Sequence, residues 1–398
     1  MLELLTVIVL GVLLGVICGI IPGLHPNTVS VILITISPLL LDYISPIALA
    51  ALIVTVAVSN SIIDTLPSIY LGAPDADSNA MNVLPGHKML LEGKGHEAVV
   101  LTVTGSLLGL IFAIVSIPPL IVLLKSGYPL IKDYLAFIII ATMAFLILRE
   151  KNRIWALIIF LLAGILGIAT INLQIKESLF PLFSGLFGIS TLILGLKNKV
   201  KIPKQESVEV DIKKRNVFKA VATSLISGSI VSMLPGLGSA QGAILGSSII
   251  KEKDPKSFLV MVGGISTIDF IISFVSIYTL DKARNGSIVA ISKILESFTT
   301  SDLILFIAIA LIVGGISAVI TIKMSKLSSS YISKINYRLL TLVIITGITV
   351  AVTIISGVIG LLVLITAIFL GMLPDFKEVG KSHLMGSLIL PVILFFLL

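Results

Sequence analysis

The chain of 398 residues has a single cysteine, Cys18, and a single tryptophan. One cysteine inside an apolar run leaves no disulfide framework and no cysteine-built metal cluster. Charge is scarce too: Asp, Glu, Lys and Arg together make 12%, against about 25% in ordinary soluble domains. No lysine or arginine precedes Lys88. The first apolar run therefore lacks a basic n-region, and no small-residue cleavage site follows it. Residues 1–21 are read as a retained helix, not a signal peptide. A polar loop over 72–96 and its edge carry Asp75, Asp77, His87, Glu92, His96 and Glu97 without the H-E-x-x-H spacing of a metalloprotease. No metal site is assigned there, and His87 and His96 are read as ordering the loop. An intramembrane aspartic protease would show Tyr-Asp and Gly-x-Gly-Asp; here Ile63 precedes Asp64 and Ile268 precedes Asp269. No catalytic residue is assigned, and an aspartate-based membrane enzyme stands only as the rival reading, beside a channel or a non-transporting scaffold.

What is present is apolar. Hydrophobic residues make 57% of the chain, and mean hydropathy is +1.15. Long apolar runs recur from end to end, which predicts an all-α polytopic membrane protein with about 10–14 membrane segments. The net charge of +7 then reads as the basic excess of cytoplasmic loops, not as a nucleic-acid surface. After residues 1–21 comes a short piece at 27–41, then a run at 46–71 interrupted by Asp64 and Pro67. Further spans are expected at 97–124, 132–149, 154–171 and 178–196. A lysine-rich stretch follows. The second half then has a run at 217–234, a short piece to 250, and runs at 258–280, 303–322, 339–356, 358–373 and 385–398. The division is a first half at 1–196, a basic cytoplasmic linker at 197–216, and a second half at 217–398.

Two breaks organise these runs: Gly19-Ile-Ile-Pro22-Gly23-Leu24-His25-Pro26-Asn27 and Ser232-Met-Leu-Pro235-Gly236-Leu237-Gly238-Ser239. Proline removes a backbone donor and glycine relaxes the backbone. Within a membrane such an opening survives only where protein or a water-filled cavity satisfies it. Aligning Pro22 with Pro235 lays Gly11, Gly15, Gly19 and Gly23 over Ser224, Gly228, Ser232 and Gly236. Downstream, Ser61 and Asp64 match Ser266 and Asp269, and Ser68-Ile69-Tyr70 matches Ser276-Ile277-Tyr278. Three matches in one order predict an internal repeat. Basic residues place loops 149–153, 197–219, 251–256 and 323–338 in the cytoplasm and the N-terminus outside. The halves then have opposite orientations, each with a broken, re-entrant helical hairpin, the arrangement of many secondary transporters.

Two constellations carry candidate chemistry. Helices restarting after Pro22-Gly23 and Pro235-Gly236 present free N–H groups suited to an anion. His25, Asn27, Thr28, Gly238, Ser239 and Gln241 add polar or close-approach positions. Asp64 with Asn60 and Ser61, and Asp269 with Ser266 and Thr267, offer hard oxygen ligands for Na⁺ or a carboxylate for H⁺. The expected activity is cation-coupled carriage of a small organic anion, with no cofactor beyond the coupling ion.

The stretches GVICGIIPGLHPN (15–27), GAPDADSNAMNVLPGHKMLLEGKGHEA (72–98) and MLPGLGSA (233–240) resemble the TctA family, the large membrane subunit of tripartite tricarboxylate transporters. The ending GMLP…SHLMGSLILP (371–391) is similar to that of its shorter archaeal branch. The resemblance implies cation-coupled carboxylate uptake, with a small membrane subunit and an extracytoplasmic binding protein as partners. A homo-oligomer is compatible with it.

Overall fold

Apolar runs in lipid must satisfy their own backbone N–H and C=O groups, and a helix does so within the run. The computed structural model describes residues 2–21, 26–72, 83–173, 175–197, 203–205, 212–233, 239–249, 254–283, 285–295, 297–332 and 337–398. Among the described residues there are helices and no strands. The first half contains α1 (Leu2–Ile20), α2 (Pro26–Thr35), α3 (Pro46–Ile63) and α4 (Thr65–Tyr70). It continues with α5 (Gly95–Val115), α6 (Ile117–Ile131), α7 (Leu135–Arg149) and α8 (Arg153–Asn172). Helix α9 runs Leu179–Phe183, widens into a π turn over Ser184–Ile189 and resumes over Ser190–Lys197. The second half contains α10 (Lys214–Met233), α11 (Ser239–Ile249), α12 (Pro255–Leu280), α13 (Gly286–Ile294), α14 (Thr300–Ile332), α15 (Tyr337–Lys377) and α16 (Gly386–Leu397).

Local chemistry sets the starts. Pro46 and Pro255 follow capping residues, Ser45 and Asp254, whose side chains accept bonds from the first free N–H groups of α3 and α12. Among the described residues, seven helices are long and apolar enough to cross a membrane, and four shorter apolar helices accompany them. The chain is a multi-pass membrane protein.

Several expected spans change. The run 97–124 is two helices, because Pro118 and Pro119 cannot donate to the carbonyls one turn back and the ladder breaks at Ser116. The span 303–322 extends to Ile332, so the basic residues Lys323 and Lys326 mark the end of the apolar stretch but not of the helix. The loop 281–302 contains α13, capped by Asn285. Helix α10 starts at Lys214, inside the expected linker. The expected pair 339–356 and 358–373 is found as two helical arms of α15 that meet at Gly357, with φ 69° and ψ −169°. There the chain folds back: Val352 Cγ1 lies 3.6 Å from where a Cβ on Gly360 would sit. A straight helix of that length would be about 60 Å long, twice the hydrocarbon thickness.

Helix directions follow from which residues meet. Gly11, Gly15 and Gly19 of α1 pack on Thr55, Ser59 and Ile63 of α3, so the two run parallel. Parallel neighbours need a return, and α2 with the turn after it supplies one: Ser45 N–H donates to Glu3 Oε1 at 2.6 Å. The second half does the same. Ser224 and Ser232 of α10 donate to Met261 O and Asp269 Oδ1 of α12, while Gly246 and Gly242 of α11 pass Ser227 and Val231 in the reverse sense.

Between the halves, α5 runs parallel to α12, with Gly105 on Val260 and Gly109 on Gly264. Helix α14 runs parallel to α3 and α4, with Ser317 on Ser59 and Ser325 on Tyr70. Helices α5 and α14 are antiparallel, with His96 on Ser325 and Leu110 on Gly314. It follows that α3 and α12 run in opposite directions. An outer layer of α7, α8, α9, α15 and α16 is fastened by Lys381 Nζ to Asp375 at 3.0 Å and Thr191 at 2.8 Å, and by His383 Nε2 to Glu150 at 3.1 Å.

Candidate functional site

Of the seven long helices among the described residues, the two that carry the candidate aspartates are the most buried. In the stretch Pro46–Tyr70 and in Pro255–Leu280, 83% of the membrane-length segment is buried, against 33–56% in the other five long helices. Both are nonetheless rich in polar groups. Thr55, Ser59, Asn60, Asp64, Thr65 and Ser68 are all buried on α3 and α4. Burying a carboxylate is costly unless something nearby compensates, and in a membrane such a residue marks function by default.

Asp64 occupies the one-residue joint between α3 and α4. It is 3% exposed, and its N–H donates to Asn60 O at 2.9 Å. The C-terminal end of α1 comes down beside it: a Cβ on Gly19 would lie 2.8 Å from Ile63 Cβ and 3.2 Å from Asp64 N. Asp269, half-buried on α12, accepts a hydrogen bond from Ser232 Oγ at 2.7 Å. Gly19 and Ser232 are the equivalent positions of the small-residue stripes. Each aspartate thus sits at the end of the arm that leads into a Pro-Gly step.

The steps themselves, with Pro22, Gly23, His25, Pro235, Gly236 and Gly238, lie outside the described residues. Asn27, Thr28 and Gln241 fall on α2 and α11, their side chains likewise outside the description. Ser239 opens α11 and is buried. Among the expected ion ligands, Ser61 and Ser266 donate to carbonyls of their own helices, Val58 O and Val262 O. Their oxygens keep lone pairs for a cation. Thr267 instead donates to Ser106 O of α5 at 2.8 Å, tying the halves together.

Three features escape a reading of the sequence. Ser232 falls on a small-residue stripe that reads as packing, yet it is the aspartate's hydroxyl partner. Tyr70, His96 and Ser325 meet across the halves: Tyr70 Oη lies 3.0 Å, and His96 Nδ1 2.9 Å, from Ser325 Oγ. Glu97, 3% exposed, pairs with Lys256 at 2.6 Å. The partners across the halves are more than 150 residues apart, and no local pattern announces them.

His87 is buried, and residues 73–82 of its loop lie outside the described residues. Its Nδ1–H donates to Ile69 O at 2.9 Å, closing the base of the segment that leaves α4 at Gly72, where φ is 63°. Burial holds the imidazole below its ordinary value, with the Ile69 bond opposing. As pH falls through about 6.5, the unfolded chain takes up a proton that the folded chain refuses, so stability falls with pH in that window. Melting curves of wild type and His87→Gln from about pH 8 to about pH 5 should diverge, the variant losing less on acidification.

The family model described as "Tripartite tricarboxylate transporter TctA family" matches residues 5–386. The chain belongs to the TctA family. An uncharacterized protein of Methanocaldococcus jannaschii is similar as well, 32% identical over 410 residues that cover 100% of both chains. No solved structure matches. Membership makes this a member of a transporter family, and it agrees with the motifs at the two breaks and the polar loop. TctA proteins are by description parts of tripartite systems, which fits a small membrane subunit and an extracytoplasmic binding protein as companions.

Proposed function

We propose that the chain is the carrier subunit of a cation-driven uptake system for small organic anions of the carboxylate class. The observation that carries this is the matched pair of Asp64 and Asp269. Each lies in one of the two most buried of the seven long apolar stretches, Pro46–Tyr70 and Pro255–Leu280, and each is set against the last turn of a hairpin arm. The anion is assigned to the N–H groups and polar side chains at the two tips, and Na⁺ or H⁺ to the aspartates with Asn60, Ser61, Ser232, Ser266 and Thr267. The two binding events support one another, since a cation offsets the charge of both the carboxylates and the anion.

The antiparallel course of α3 and α12 supports the inverted-repeat reading, and the return of the chain from Ile20 to Ser45 beside Glu3 supports a re-entrant first hairpin. Orientation follows from the basic residues. Gly95 N–H donates to Gln205 of the linker, so that end of the core gathers Lys88, Lys94, Lys204, Lys256 and Lys326, while Glu3 lies at the other. By the positive-inside rule the linker face is cytoplasmic and the N-terminus is outside.

The test is uptake of labelled di- and tricarboxylates into liposomes, with and without companion subunits, under inward Na⁺ or H⁺ gradients. Saturable, gradient-dependent uptake is expected; non-saturating conductance would replace the carrier by a channel.

A further inference from the structure

Helix α14 is the most apolar of the long helices, and less than half of its membrane-length stretch is buried. Yet it carries Ser317, Thr321 and Ser325 at four-residue spacing, all 0% exposed. This spacing puts the three hydroxyls on one face, and that face meets the first half of the chain. Ser317 Oγ donates to Ser59 Oγ at 3.0 Å, on the same buried helix as Asn60 and Asp64. Thr321 Oγ1 donates back to Ser317 O at 2.6 Å. Ser325 meets Tyr70 and His96. Alanine would pack such a helix interface equally well. A row of hydroxyls gives a polar ligand something to exchange bonds with, and this one runs from the level of the aspartate helix to the face bearing the linker.

At that face the row is closed by contacts of one kind. Tyr70 and His96 belong to the first half and Ser325 to the second, and Tyr70 Oη–H also donates to Ser325 O at 2.9 Å. Beside them Glu97 of α5 pairs with Lys256 of α12, again across the halves, and Lys256 is partly open to solvent. Every one of these ties breaks if the linker ends of the two halves part, while the glycine contacts farther along α5 and α12 stay closed as the pivot. We infer that Tyr70, His96 and Ser325, with the Glu97–Lys256 pair, form the inner gate of a polar path from the Asp64 level to the linker face. This rests on the carrier reading above. In it the five residues position the path and its closure; they are not placed on the anion.

The test reads gate opening without any substrate. Thr321→Cys places a thiol one turn behind Ser325, in the full chain held in lipid nanodiscs. A membrane-impermeant sulfonated maleimide is the probe, and native Cys18, buried on α1, reports general loosening. Adding Tyr70→Phe with Ser325→Ala should raise labelling at position 321 by roughly tenfold, the change that one ordinary hydrogen bond controls, while Cys18 stays unlabelled. Should that pair fail to fold, Glu97→Gln with Lys256→Met carries the same expectation. Labelling at 321 that stays at the starting rate, or that rises together with Cys18, would overturn the gate and leave the contacts as static packing. A chain that fails to move carboxylates leaves this result readable, so loss of the carrier reading and loss of the gate are told apart.

Discussion

Replacing Gly105 or Gly263 by valine is expected to leave little or no folded protein in the membrane. Helices α5 and α12 touch backbone to backbone at their crossing. A Cβ on Gly105 would stand 1.9 Å from Val260 O, and one on Gly263 would stand 2.1 Å from Thr102 O. Neither obstacle is a flexible side chain, so the helices themselves have to part. Parting them also strains the bonds from Ser106 Oγ to Gly263 O and from Thr267 Oγ1 to Ser106 O. Overpacking usually costs about 1–3 kcal/mol where side chains can give, and a clash with the neighbouring backbone exceeds that range, against a total stability of about 5–15 kcal/mol. Gly315, with no atom within 4 Å of its would-be Cβ, is the control, and Gly315→Ala should fold normally. Monodisperse yield by size-exclusion chromatography checks both. Well-folded Gly105→Val protein would show that the close crossing is misplaced.

Asp64→Asn and Asp269→Asn are expected to remove cation dependence while sparing the fold. Asparagine keeps the shape and can still accept from Ser232 or lie against the Gly19 arm. What it loses is the charge that a bound Na⁺ or H⁺ neutralises. A hydrogen-bonded or ligating charge is worth about 1.5–3 kcal/mol, so each variant should weaken cation affinity by ~10–100-fold. Ser232→Ala, which removes the hydroxyl 2.7 Å from Asp269 Oδ1, should weaken it by a smaller factor. The check is the Na⁺ and pH dependence of anion affinity. If Na⁺ couples, Ser61→Ala and Ser266→Ala weaken Na⁺ binding; if H⁺ couples, they are nearly silent.

The fold class, the helical character of nearly every apolar run, and the family are legible in the residues. Membrane helices satisfy their own backbone, so a local reading suffices for them. The turn at Gly357 is legible because an apolar stretch twice the bilayer thickness cannot run straight. The break at Ser116 is masked, since hydropathy stays high across Pro118-Pro119 and the run reads as one span. Of the candidate site, the aspartates and the small-residue stripes stand out when the two halves of the sequence are aligned. The partners are not. Ser232 against Asp269, Ser325 between Tyr70 and His96, and Lys256 against Glu97 depend on how helices dock, and docking leaves no periodicity in a single chain.

The central claim is that anion and cation occupy one linked site built on Asp64 and Asp269. Melting the purified chain across a matrix of carboxylate and Na⁺ concentrations, and again across pH, tests it most directly. A ligand that binds the folded state raises the melting temperature by mass action, and linked sites raise it together by more than the two separate shifts. The account predicts such a surplus for one coupling ion in the wild type and none in the Asp64→Asn, Asp269→Asn double variant. A double variant that keeps the full surplus would place the coupling ion elsewhere and contradict it.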